Sequence, residues 1–161
     1  MSRVLVALLI AACSGAAGAS GSEMFAARCS PCHQPGGGGV PGLYPPLKDT
    51  VGRYLRVPVG RVYLAHAVSF GMMGTIASEG GTYNGFMQPW TQLTDAEIAD
   101  VLNYVLVDLN AARLPHGFVP FTADEVHALR AHHLTFDDVR HERDALMKAL
   151  GTDAAPDQAQ R

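Results

Sequence analysis

The feature that most constrains this chain is a run of five residues, Cys29-Ser30-Pro31-Cys32-His33. Two thiols one helical turn apart can reach both vinyl groups of a single porphyrin, and the imidazole that follows falls beneath the metal. C-x-x-C-H is the attachment signature of a c-type haem. A chain that carries it has to build a flat, apolar slot around that point. Other uses of the thiols lack their partners. A zinc ribbon needs a second ligand pair, and the only other cysteine, Cys13, lies in the N-terminal apolar stretch. A thioredoxin-like redox pair needs a βαβ setting, and no β-rich run flanks the site. A Cys29–Cys32 disulfide would leave His33 without a role.

The N-terminus reads as a targeting segment. Met1-Ser2-Arg3 is a short basic start and residues 4–12 are an apolar run. A bilayer span takes about 20 apolar residues, so this run fits the core of an export signal. Two processing sites fit it. Ala17-Gly18-Ala19 before Ser20 is an A-x-A cleavage site, which makes 1–19 the signal peptide. Ile10-Ala11-Ala12-Cys13 resembles a bacterial lipobox, which ends the signal at residue 12 and leaves Cys13 lipidated, with a Gly/Ala/Ser tether behind it. Either route would place the mature chain in the periplasm, and on the second its one membrane contact would be a lipid on Cys13.

What remains is long enough for one compact domain and an appendage. A formal net charge of −3 gives no reason to expect a nucleic-acid partner. Aromatic residues make up only 7% of the chain, so a porphyrin would supply much of the core and the apo form should fold poorly. Lys48, Arg53, Arg56 and Arg61 make one stretch basic, and Glu79, Asp95, Glu97, Asp100 and Asp108 make the next acidic. Such asymmetry could orient a docking partner, although ordinary solvated side chains explain it as well.

Helices can be placed by their caps. Ser20-x-x-Glu23 is a capping-box pattern opening a short helix, Met24 to Cys29. The glycine-rich run 36–42 with Pro41, Pro45 and Pro46 makes an irregular loop that can lie close against a flat ligand. Residues 59–70 carry apolar side chains at helical spacing and stop before Gly71. Thr94-x-x-Glu97 is a second capping box, leading a helix with Ile98, Val101, Leu102, Val105 and Leu109 on one face. Residues 71–90 between those helices, rich in Gly, Met and aromatics, read as a loop with at most a short strand near 75–77.

An iron with one imidazole needs a sixth ligand or keeps an open site. Met72, Met73, Met87 and six further histidines are the candidates. Met87 is best placed, in a loop just ahead of the last helix of the compact part, and a neutral thioether raises the potential relative to a second His. Met72 and Met73 suit flexible packing at the porphyrin edge, and His66, inside a helix, suits core or surface. Tyr54, Arg53, Arg56 and Trp90 could each reach a haem propionate.

These residues resemble the class I bacterial cytochrome c family over roughly 22–110. The likeness rests on a helix ending in Cys29-x-x-Cys32-His33, on Pro45-Pro46-Leu47, on Tyr83-x-Gly85-x-Met87, and on the run from Leu93 to Val105. It implies an all-α fold, helical and cytochrome c-like around one covalent haem c. Thioethers at Cys29 and Cys32, and axial iron ligands at His33 and Met87, come with it. A carbonyl in the Pro45-Pro46 region would then accept the His33 ring N–H. The family usually has Pro directly after the axial Met; here Gln88 intervenes before Pro89.

The cytochrome c domain would cover 20–110, followed by a helical C-terminal extension at 111–151 and a disordered tail at 152–161. Thr122-x-x-Glu125 reads as a third capping box, and Thr135 as the cap of a last helix stopped by Gly151. Neither short helix is stable alone, so both should pack on the cytochrome or a partner. His127, His132, His133 and His141 invite a metal-site reading, with solvated histidines as the default. The functional expectation is a monohaem electron carrier without substrate chemistry of its own. It would work between a periplasmic dehydrogenase or quinol oxidoreductase and a downstream acceptor such as an oxidase, free or as a subunit of an oxidoreductase complex. The alternative is a haem sensor or peroxidase with a labile sixth ligand.

Overall fold

The computed structural model describes residues 19–151. Residues 1–18, which hold all but the last residue of the signal peptide expected at 1–19 and the cysteine expected to be lipidated, Cys13, lie outside the described residues, as does the tail expected at 152–161. The chain opens with one helical run in three pieces, α1 (Gly21–Met24), a π turn (Phe25–Cys29) and α2 (Ser30–His33). Ser20 caps it through a complete capping box with Glu23. The Ser30 hydroxyl bonds back to the Ala26 carbonyl at 2.7 Å, and widened turns of this kind concentrate at functional sites. An irregular loop follows, then a 3₁₀ segment (Val51–Arg56) and α3 (Pro58–Phe70). The last helix of the expected compact part, α4 (Asp95–Asn110), starts on the Thr94/Glu97 box.

α1 crosses α4 at very short range. A β-carbon added at Gly21 would lie 2.2 Å from the Asp100 carbonyl oxygen, so only glycine lets the two backbones meet there. Phe25, 1% exposed, fills the crossing against Tyr104, with ring centroids 5.3 Å apart. Asn110, fully buried at the end of α4, ties that helix to the loop. Its amide donates to the carbonyls of Leu47 (3.0 Å) and Val105 (2.9 Å), and its oxygen accepts from Gly52 N–H (3.0 Å).

The stretch expected as a loop is a β-hairpin. β1 (Met72–Ser78) pairs antiparallel with β2 (Gly81–Met87), from Met72↔Met87 to Ser78↔Gly81. The two turn residues, Glu79 and Gly80, both have positive φ (47° and 76°), as a type I′ turn requires. Over the described residues the fold is therefore mostly helical but carries one small two-stranded sheet. Gly71, where α3 leads into it, has φ +72°, and a β-carbon there would meet the Met87 carbonyl at 2.4 Å.

The extension packs back on the molecule through α5 (Ala123–Leu129) and α6 (Phe136–Ala149). Val126, Val139 and Leu146, all 0% exposed, belong to the same core cluster as Phe25 and Leu106. Thr122 accepts the Glu125 N–H, but the Glu125 carboxylate turns away from its own cap to pair with Arg61 of α3, so this cap is not the reciprocal box expected. Thr135 does form a complete box, with Asp138. Among the described residues no helix is long and apolar enough to cross a membrane.

Candidate haem site

Cys29, His33 and Met87 line two adjoining cavities of about 440 and 100 Å³. Cys32 lines the larger one. The helical run and the hairpin bring these residues together. The widened turn ends at Cys29, and α2 then carries Cys32 and His33. Both thiols are half-buried and unbridged. Burial, reinforced by Cys32 beside it, pushes the Cys29 thiol up to about 11. The His33 ring is 8% exposed, and its Nδ1–H donates to the Pro45 carbonyl at 2.9 Å. Of the two prolines in that region, Pro45 is the one that fixes the ring. Burial holds the imidazole below its ordinary range, opposed by that hydrogen bond. A neutral ring is the form that can bind a metal.

The hairpin supplies another wall. Its inward-facing pairs are Met72↔Met87, Gly74↔Gly85 and Ile76↔Tyr83, and all six residues line the larger cavity. Paired residues of opposite strands project to one face, so both Met72 and Met87 present thioethers to the slot. Met73 and Phe86 form the intervening pair and project outward, 55% and 54% exposed.

A buried cation completes the lining, and nothing local in the sequence singles it out. Arg143 of α6 is 3% exposed and lines the smaller cavity. It donates to the Ala77 carbonyl (2.6 Å) and the Tyr54 hydroxyl (3.3 Å), and no carboxylate pairs with it among the described residues. Burying an unpaired charge is expensive. Apolar walls, two thiols, a neutral imidazole, thioethers and a cation lacking its anion together fit a haem, whose edge carries carboxylates.

Of the residues considered for a propionate, Tyr54 is buried on the slot and Trp90 lines its mouth. Arg53 is instead paired with Glu79 at 2.9 Å, and Arg56 is exposed. The basic and acidic stretches are partly spent inside the molecule, since Asp95 takes Arg130 (2.7 Å) and His127 (3.0 Å). His66 is a core residue. Both of its ring nitrogens face acceptors of the extension, the Glu142 carboxylate (2.9 Å) and the Leu129 carbonyl (2.8 Å). His133 packs edge-on against Phe70, and the described residues hold no group of three or more His, Cys, Asp or Glu placed to bind a metal.

Residues 18–107 match the family model described as Cytochrome c. The chain belongs to the cytochrome c family. It is also similar to a cytochrome c-552 of Thermus thermophilus, 42% identical over 146 residues that cover 91% of this chain and 98% of the relative. A second Thermus thermophilus cytochrome c-552 is 43% identical over 128 residues, 80% of this chain and 97% of that protein. The first alignment is longer than the family match and extends the likeness into the extension that holds Arg143. As a cytochrome c, the protein carries a covalently attached haem c and transfers electrons.

Proposed function

We propose that the protein is a periplasmic monohaem carrier of single electrons, with thioethers at Cys29 and Cys32 and axial ligands His33 and Met87. The observation that carries this reading is the convergence of both thiols, the Pro45-bound imidazole and the Met87 side chain on one apolar slot. The haem supplies one-electron redox chemistry, and the protein's own residues do the rest. Pro45 holds the His33 ring in one orientation and tautomer. Met87 offers a soft neutral sulfur, which raises the potential relative to a second imidazole. Arg143 and Tyr54, which line the smaller cavity, would hold a propionate. Leu43 (58% exposed) and Phe86 line the mouth of the larger one, and with Met73 they offer an uncharged surface to a redox partner, a dehydrogenase, quinol oxidoreductase or oxidase.

The test is the long-wavelength absorption of the ferric holoprotein. A weak sulfur-to-iron charge-transfer band should be present in the wild type, persist unchanged in Met72→Leu, and be lost or displaced in Met87→Ala. A wild type without the band, binding CO rapidly when reduced, would overturn the carrier reading in favour of a sensor or peroxidase. The export reading rests on the basic start, the apolar run and the two processing sites. The intact mass of the mature protein checks it: an N-terminus at Ser20 or a diacylated Cys13 supports export, and retention of Met1 sinks it.

A further inference from the structure

Two thioethers, not one, are built into the wall of the haem slot. Met72 stands directly opposite Met87 in the hairpin register, is 8% exposed, and lines both cavities beside Cys29 and His33. Its sulfur is held in place: the hydroxyl of Tyr63, itself 5% exposed, donates to Met72 Sδ at 3.9 Å. A hydroxyl so deeply buried needs an acceptor, and this sulfur lone pair provides one. The neighbouring hairpin methionine, Met73, points to solvent, so the alternation of the strand selects which of the two adjacent methionines enters the slot.

We propose that Met72 is a reserve axial ligand, kept beside Met87 by Tyr63 and able to take its place. The proposal rests on the Met87 assignment above and goes beyond it. A methionine side chain is unbranched, with three rotatable bonds, so its sulfur can be redirected within the slot without unfolding the hairpin. The exchange is a change of coordinate bond alone. The Met87 sulfur would leave the iron, the Met72 lone pair now held by the Tyr63 hydroxyl would become the donor, and Tyr63 would lose that acceptor. No electron or proton would be transferred. Met72 would thereby keep the site closed to small diatomic ligands when Met87 is oxidised or displaced.

The experiment compares purified holoproteins of the wild type, Met72→Leu, Met87→Leu and the double variant. Leucine is used in place of alanine to keep the volume of the hairpin wall. The readouts are the ferric sulfur-to-iron band, the methyl resonance of an axial methionine in the ferrous NMR spectrum, and CO binding. Met87→Leu is expected to keep a thioether band and an axial-methyl signal at shifted positions and to resist CO, while the double variant loses both signals and binds CO. Loss of both signals in Met87→Leu, with CO binding as fast as in the double variant, overturns the reserve role and leaves the Met87 assignment standing. Loss of the band in Met72→Leu alone would instead make Met72 the resident ligand and overturn both readings. Should Met87→Leu fail to mature with haem, oxidation of wild type and Met72→Leu with hydrogen peroxide gives the same comparison. The band should outlast sulfoxidation of Met87, followed by mass spectrometry, only where Met72 is present. Equal loss in both proteins overturns the proposal.

Discussion

Arg143 carries its charge at 3% exposure, with a carbonyl and a phenol as partners and no carboxylate among the described residues. Tyr54 and Tyr63 flank it, their rings 5.8 and 5.9 Å from the guanidinium. Burial disfavours the charged form, and the two tyrosines more than offset this. With a propionate as its anion, Arg143→Gln leaves that carboxylate buried and unpaired, a loss of about 3 kcal/mol of holoprotein stability. A cation near the haem favours the ferrous state, so the potential should fall as well. Potentiometry of Arg143→Gln beside Arg143→Lys checks this, and an unchanged potential with unchanged stability would detach Arg143 from the haem. Cys29, Cys32, His33 and Met87, the proposed attachment and axial residues, stand out in the sequence because they sit in short, spaced motifs. Arg143 does not, because it lies 110 residues beyond His33 in a helix whose neighbours are surface charges.

At the scale of elements, the helices were legible and the hairpin was not, for one physical reason. Helices α1, α4 and α6 announce themselves through Ser20/Glu23, Thr94/Glu97 and Thr135/Asp138, where side chain and backbone satisfy each other locally. β1 does alternate in burial, but its inward positions are Met72, Gly74, Ile76 and Ser78, two of them without apolar side chains. The slot needs small residues there, and the haem takes the place of the apolar partners that strand patterns normally reveal. Its turn is Glu79-Gly80 rather than the usual Asn-Gly. Gly71 fixes where that hairpin begins. Its φ of +72° belongs almost exclusively to glycine, and a β-carbon would press on the Met87 carbonyl. Gly71→Ala should cost about 2 kcal/mol or more and displace β2, weakening the methionine-to-iron band in the assembled protein. A normal band and melting temperature would show that the chain turns there without strain. The caps also make a pH prediction. The Thr135 hydroxyl, then its backbone N–H, hold the Asp138 carboxyl below its ordinary 3.8. A lowered folded value stabilises α6 above the unfolded value and is lost as pH falls through the folded one. Protection of the α6 amides, corrected for their intrinsic exchange rates, should therefore fall below pH 3.8 in the wild type. In Asp138→Asn it should already be lower at neutral pH and change less on acidification, and identical profiles would remove the cap from the account.

For the whole molecule the decisive quantity is the size of the slot relative to the core around it. The chain has few aromatic residues to fill space, and its apolar cluster runs from Met24 to Leu146 around the two cavities instead of through them. Without a porphyrin the apolar walls of this slot of about 440 Å³ face water, and the chain forfeits the burial that the haem would supply. Ordinary domains are stable by only about 5–15 kcal/mol. The apo chain is therefore expected to collapse or lose structure. Both α5 and α6 should loosen with it, because Arg143 loses its anion and β1, against which α6 packs, loses its support. Cys29→Ala/Cys32→Ala removes covalent attachment while leaving His33 and Met87 in place. It is expected to have helix content well below that of the holoprotein, no cooperative thermal transition, and early protease cleavage between 111 and 151. Added free haem should restore part of the helix, since the proposed axial side chains, His33 and Met87, remain. A cooperative, protease-resistant apo variant would mean that the extension and the hairpin close the core unaided, and that the haem is held by a fold already complete without it.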